Sequence, residues 1–177
     1  MGCCCGLAGS SDFRWVLHAP SPISLGEFPA GASAPYHFSG TGLTLEFQSG
    51  PGGNVTAVNV PGEPPAPPTI PINSRKLLRY WEVRTDMEDG SFLATVTVAY
   101  DSLEIPPDVA EEDLAIVRFD GDGEHWVPLP TIVDTALDQV TVTGLTEFSI
   151  FIVGDLGDAG VDSHEGTTWG ALKSDFR

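Results

Sequence analysis

The chain has 177 residues, enough for one domain with its own core plus tails. Its 8 Lys and Arg against 25 Asp and Glu give a formal net charge of -17, which repels phosphate backbones and anionic lipid and argues against a general nucleic-acid binder. With 20 Gly, 15 Pro and no sustained helical periodicity in the middle, the composition points to an all-β domain with many turns.

The N-terminal stretch, residues 1–22, reads as a poorly ordered segment. Cys3, Cys4 and Cys5 are adjacent and are the only cysteines, so no disulfide framework can be drawn and stability has to come from packing. A basic n-region followed by an apolar h-region is not readable, nor is a run of about 18 apolar residues, so neither a signal peptide nor a membrane span is expected. Either the chain is cytoplasmic or this start is not that of an exported precursor. Met1-Gly2-Cys3 is similar to an acylated start, but Gly6 stands where myristoylation wants Ser or Thr. Phe13, Trp15, Val16 and Leu17 form a short apolar run compatible with an edge strand.

The body is predicted to span residues 23–153. In the segment 43–47, Leu43, Leu45 and Phe47 alternate with Thr44 and Glu46, the pattern of a half-exposed strand. The Gly/Pro turn 49–53 follows, and residues 54–60 alternate again with Val55, Ala57 and either Val58 or Val60 inward, which predicts a hairpin. Six prolines between Pro61 and Pro71 remove ladder donors, so this stretch is expected to run extended over the surface as a crossover loop between two sheets; a ligand for an SH3-like groove is the sharper alternative.

Residues 77–84, with Leu78, Tyr80 and Trp81 inward, are predicted to pair across the turn 86–90 with the most regular stretch of the chain, residues 92–100. There Phe92, Ala94, Val96, Val98 and Tyr100 share one face at period two, while Leu93, Thr95, Thr97 and Ala99 share the other, so a central strand with flanking partners is expected. Residues 103–113 form a loop with one helical turn. Strands are then predicted at 114–119 and 126–129 around the turn 120–123, at 132–137 and 139–144, and at 147–153 with Phe148, Ile150 and Ile152 on one side. Strands every eight to twelve residues are the spacing of an antiparallel β-sandwich, immunoglobulin-like or jelly-roll-like.

The ordered elements Arg79-Tyr80-Trp81-Glu82-Val83, the Thr-Val-Thr-Val-Ala-Tyr strand, Glu112-Asp113-Leu114, Val117-Arg118-Phe119, Trp126, Val133-Asp134-Thr135, Val140-Thr141-Val142 and Phe148-Ser149 carry a resemblance. Over about residues 38–153 the chain resembles β-sandwich modules near the C-terminal ends of large secreted or cell-surface bacterial proteins. The resemblance implies non-catalytic work, structural, adhesive or positioning, beside other domains of such a protein.

Chemistry-bearing motifs are sparse. His18, His37, His125 and His164 are the only histidines, and no metalloprotease, nucleophile-elbow, phosphate-loop or dinucleotide pattern is present. His37-Phe38-Ser39 resembles the self-cleavage tripeptide of autoproteolytic β-sandwich domains, in which a His base activates Ser to attack the preceding carbonyl; Phe38 as a core anchor is the plainer reading. Calcium is a candidate ligand at Asp120, Asp122 and Glu124 and at Asp155, Asp158 and Asp162, although neither run completes a twelve-residue calcium loop, and a solvated turn and an acidic linker account for them as well. Trp81 and Trp126 are expected to fill space between the sheets rather than serve as carbohydrate platforms, with Trp169 the more exposed aromatic; a carbohydrate-binding module using Trp169 or an exposed Trp81 is the remaining alternative.

Residues 154–177 differ in character, an acidic spacer followed by a short amphipathic tail. Trp169, Leu172 and Phe176 fall at i, i+3 and i+7 on one face of a helix that Thr167 or Thr168 would cap. Eleven residues do not hold a helix in water alone. The tail therefore either docks on the sandwich or waits for another protein, and the expectation is a sorting or anchoring signal, read by sorting machinery, whose removal leaves the body's stability unchanged.

Overall fold

A computed structural model describes residues 21–64, 76–121 and 125–155. Eleven strands follow in chain order: β1 (Ile23–Phe28), β2 (Tyr36–Phe38), β3 (Leu43–Ser49), β4 (Gly53–Pro61), β5 (Arg79–Thr85), β6 (Leu93–Ala99), β7 (Leu114–Asp120), β8 (His125–Pro128), β9 (Thr131–Asp134), β10 (Gln139–Leu145) and β11 (Ile150–Asp155). Two short 3-10 turns, Ser102–Glu104 and Glu111–Asp113, lie between β6 and β7. The strands make an all-β sandwich of two antiparallel sheets, one ordered β1-β4-β5-β11-β7-β8 and the other β2-β3-β6-β10-β9.

The period-two stretch becomes β6, with Phe92, Ala94, Val96, Val98 and Tyr100 all buried against the opposite sheet. It is flanked on both sides, by β3 with Leu45 opposite Val96 and by β10 with Val140 opposite Val98. Facing it across the core are Val55, Ala57, Trp81, Val83, Leu114, Ile116, Phe151 and Val153. An aromatic seam closes one part of this core, with Phe28 against Phe47 at 4.8 Å and Phe92 stacked on Phe148 at 4.7 Å between ring centroids. At the polar margin Tyr100 donates its hydroxyl to Glu111 at 2.7 Å, and burial together with that bond pushes the phenol pKa well above its usual value.

Three connections differ from the sequence-based expectation. Residues 49–53 do not close a hairpin: β3 and β4 lie in different sheets. Alternation shows that both strands present an apolar face to the core, and two strands facing each other across a sandwich satisfy this as well as two strands side by side. The turn is built for the crossing, since Gly52 has φ +83° and a Cβ there would stand 2.7 Å from the Ala30 nitrogen. Likewise β5 does not pair with β6; it lies between β4 and β11, and the 86–90 turn carries the chain to the other sheet. Asp86 fixes that turn by accepting the Asn54 backbone N–H at 2.7 Å and its amide at 2.8 Å, bonds that hold the carboxyl below its ordinary pKa. Conversely the proline-rich connection joins two neighbours of one sheet, β4 and β5, and is not a crossover.

Inward faces shift correspondingly. In β5 the buried residues are Trp81 and Val83, while Leu78 is 72% exposed and Leu77 takes the core position. In β4 the third inward residue is Asn59 rather than Val58 or Val60. Its amide donates to the Thr41 carbonyl at 2.9 Å, and the same oxygen accepts the Trp81 indole N–H at 2.8 Å. A buried polar pair is thereby satisfied by one backbone carbonyl. Asp155, assigned from sequence to an acidic spacer, is the last residue of β11, opposite Leu114 and buried, because the strand outruns its apolar run by two residues.

Candidate interaction face

The outer faces of the two sheets differ in chemistry. On the five-stranded sheet the register places His37, Thr44, Thr97, Thr141 and Ile132 in one row across all five strands. The His37 Nδ1 and Thr44 hydroxyl share a 2.7 Å hydrogen bond, the Thr97 and Thr141 hydroxyls a 3.0 Å bond, and Gln48 donates to Thr95 at 2.9 Å. This is the wet face usual for an antiparallel sheet.

The six-stranded sheet departs from that rule. Alternation places Ile150 and Ile152 of β11, Ala115, Val117 and Phe119 of β7, Trp126 of β8 and Tyr80 of β5 on the side away from the core, where Val117, Trp126 and Ile152 form a second buried cluster joined by Tyr80, Phe119 and Ile150. Trp126 therefore does not fill space between the sheets as the sequence suggested; its neighbour Val127 packs on the core, and Trp126 lies outside, 5.3 Å from Phe119. Similarly Ile150 and Ile152 share the outer side, while Phe151 and Val153 line the core and Phe148 packs on the core ahead of the strand. At the β1 edge of the same sheet Ile23 and Leu25 are 69% and 62% exposed beside Val58, separated from this cluster by Glu82, which the register places between Val58 and Ile150. Sequence reasoning missed this face because strands apolar on both sides show no alternation to assign.

The sequence-derived candidates fall as follows. His37 lies in β2 on the wet face, and Ser39 sits exposed in the following turn. Phe38 is a core residue, 2% exposed, and its carbonyl accepts the Thr41 N–H at 3.1 Å and the Thr41 hydroxyl at 2.8 Å. Asp120 ends β7 with its carboxylate 3.8 Å from His125 Nε2, while Asp122 and Glu124 lie outside the described residues. Asp155 is buried at the end of β11, and Asp158 and Asp162 are likewise not described, nor are Trp169, Leu172 and Phe176. Among the described residues no group of three or more His, Cys, Asp or Glu is placed to hold a metal, and no helix is long and apolar enough to cross a membrane.

An open groove of about 450 Å³ runs beside β5, lined by Glu82, Arg84, Thr85, Met87, Asp89, Phe148 and Ser149. Glu82 is occupied by an ion pair with Arg84, and the hydroxyl of Ser149 has no histidine among the lining residues to activate it. Trp81, fully buried, cannot serve as a carbohydrate platform. No family model matches the chain, and neither a curated protein nor a solved structure matches it significantly.

Proposed function

We propose that the chain is a β-sandwich module with a structural, adhesive or positioning role beside other domains of a larger secreted or cell-surface bacterial protein. One observation supports this reading: β7, β8 and β11 of the six-stranded sheet carry apolar side chains away from the core as well as toward it, the pattern of strands that pack against a further layer. Ile23 and Leu25, exposed beside the half-buried Val58, are costly in water and are the form a packing surface takes. The net charge of -17 keeps the remaining surface soluble. Calcium at the Asp120 turn and an anchoring role for residues 154–177 belong to the same proposal.

The isolated module is expected to self-associate through this patch at micromolar concentration, and Ile23→Glu with Leu25→Glu should return it to a monomer with an unchanged fold. Size-exclusion chromatography with light scattering reads both. A wild-type chain that stays monomeric and binds no apolar dye would sink the reading.

Self-cleavage between Phe38 and Ser39 is the second reading, favoured by the two donors on the Phe38 carbonyl, which polarise the bond a Ser39 hydroxyl would attack. The same donors also make an ordinary turn, with Thr41 three residues on. We expect one intact mass after days at neutral pH, in the wild type and in Ser39→Ala alike. Two fragments meeting at Ser39, absent from the variant, would replace the module reading with a processing domain.

A further inference from the structure

Strands β1 and β8 end one sheet and β2 and β9 the other, and three of these four edges carry an ordinary protection against pairing with a further strand. β8 ends in Pro128, β2 is three residues long, and β9 lies against β7 and the 3-10 turn Glu111–Asp113. β1 has none of these. Its six residues include no proline or lysine, and they pair with β4 without a bulge. The Pro22 carbonyl accepts the Asn59 N–H of β4 at 3.1 Å, so by alternation the backbone groups of Ser24, Gly26 and Phe28 also face β4, and those of Ile23, Leu25 and Glu27 face the free edge.

On that edge the Leu25 carbonyl accepts the Tyr36 hydroxyl at 2.9 Å. Tyr36 belongs to β2, in the other sheet, and crosses the open side of the sandwich to reach β1. Its ring stands edge-on to Phe28 at 5.4 Å and to Phe38 at 5.0 Å between centroids. The crossing requires a glycine: a Cβ on Gly26 would stand 2.9 Å from Tyr36 Cε1. Glycine inside a strand weakens it, and this close approach is the reason for one here. The hydroxyl thus occupies the position beside the Leu25 carbonyl that the N–H of an incoming strand would take.

We propose that Tyr36 is an autoinhibitory strap on β1, and that the strand it holds off is β1 of a second copy of this chain. The free edge is complementary to itself. An antiparallel two-fold about Leu25 sets Leu25 opposite Leu25 and Ile23 of each copy opposite Glu27 of the other, so the outward N–H and C=O groups of all three residues find partners. This register also keeps the two Glu27 carboxylates roughly 13 Å apart along the strands, beyond the Debye length of about 10 Å, which favours it in a chain of net charge -17. The site is the backbone edge of β1 and is separate from the outward side chains of Ile23 and Leu25, so it stands whether or not those side chains form a packing surface.

The test follows amide hydrogen exchange at Ile23, Leu25 and Glu27 of the full chain as protein concentration rises. Edge pairing protects these N–H groups, whereas stacking of outer faces leaves them toward solvent. Tyr36→Phe keeps the ring and drops the hydroxyl; Gly26→Ala expels the ring and leaves Tyr36 in the chain. In both, protection should set in at a concentration about thirtyfold lower than in the wild type, since a dimer releases two straps at roughly one hydrogen bond each. Leu25→Pro added to Tyr36→Phe removes an outward N–H, keeps the bonds to β4, and should abolish protection at Ile23 and Glu27. Tyr36→Phe decides the matter if Gly26→Ala fails to fold. Exchange in Tyr36→Phe that matches the wild type at every concentration overturns the proposal, and so does protection that survives Leu25→Pro.

Discussion

Val98→Asp is expected to leave the chain unfolded at room temperature. Val98 has no exposed surface, stands mid-strand in β6 and is paired with Leu43 on one side and Val140 on the other, so a carboxylate there meets neither water nor a cation. Burying an unpaired charge costs several kcal/mol after relaxation, comparable to the roughly 5–15 kcal/mol that holds a domain of this size together. The adjacent change is the control. Thr97 lies on the wet face of the same strand, where its hydroxyl meets that of Thr141 at 3.0 Å. Thr97→Asp forfeits that bond and crowds two threonines, at about 1 kcal/mol. Circular dichroism and thermal melts of the pair read the difference, and equal losses would mean the two faces of β6 have been exchanged.

The second large effect is expected at Trp81. Its ring is fully buried between the sheets and its indole N–H bonds the Thr41 carbonyl, so Trp81→Ala removes the largest fully buried side chain. The cost is about 3–5 kcal/mol, from lost transfer energy and the cavity left behind. Trp81→Phe keeps most of the volume, and the Thr41 carbonyl still accepts the Asn59 amide, so about 1–2 kcal/mol is expected. Chemical denaturation of the two variants checks this ordering. Since the bond tethers residues 40–42 to the core, Trp81→Ala should also speed hydrogen exchange at the Leu43 amide, which is held by the Thr41 hydroxyl at 3.1 Å. A Trp81→Ala protein as stable as Trp81→Phe would show that the core repacks around the hole.

The fold class was legible because period-two alternation is a local property. In β3, β6 and β10 one side is apolar and the other carries Thr, Glu or Gln, so both the strand and its buried face follow from the residues alone. The β7–β8 and β9–β10 hairpins were legible too, because short turns rich in Asp leave the chain no room to do anything but fold back.

What the residues alone determined about this protein is therefore which segments are strands, which side of β3, β6 and β10 is inward, and that no catalytic motif is spelled out. Only the tertiary structure decided which strands are neighbours. An apolar face at β3 or β5 meets its need for burial equally well beside a strand or opposite one, and the choice fell to backbone events at Gly52 and Asp86 that no periodicity records. Only the tertiary structure, likewise, divided β7 and β11 between two surfaces, sending Ile116 and Phe151 to the core and Val117 and Ile152 to the outer face. A strand apolar on both sides carries no sign of its own orientation, because the hydrophobic effect that buries it has no direction until a second layer arrives.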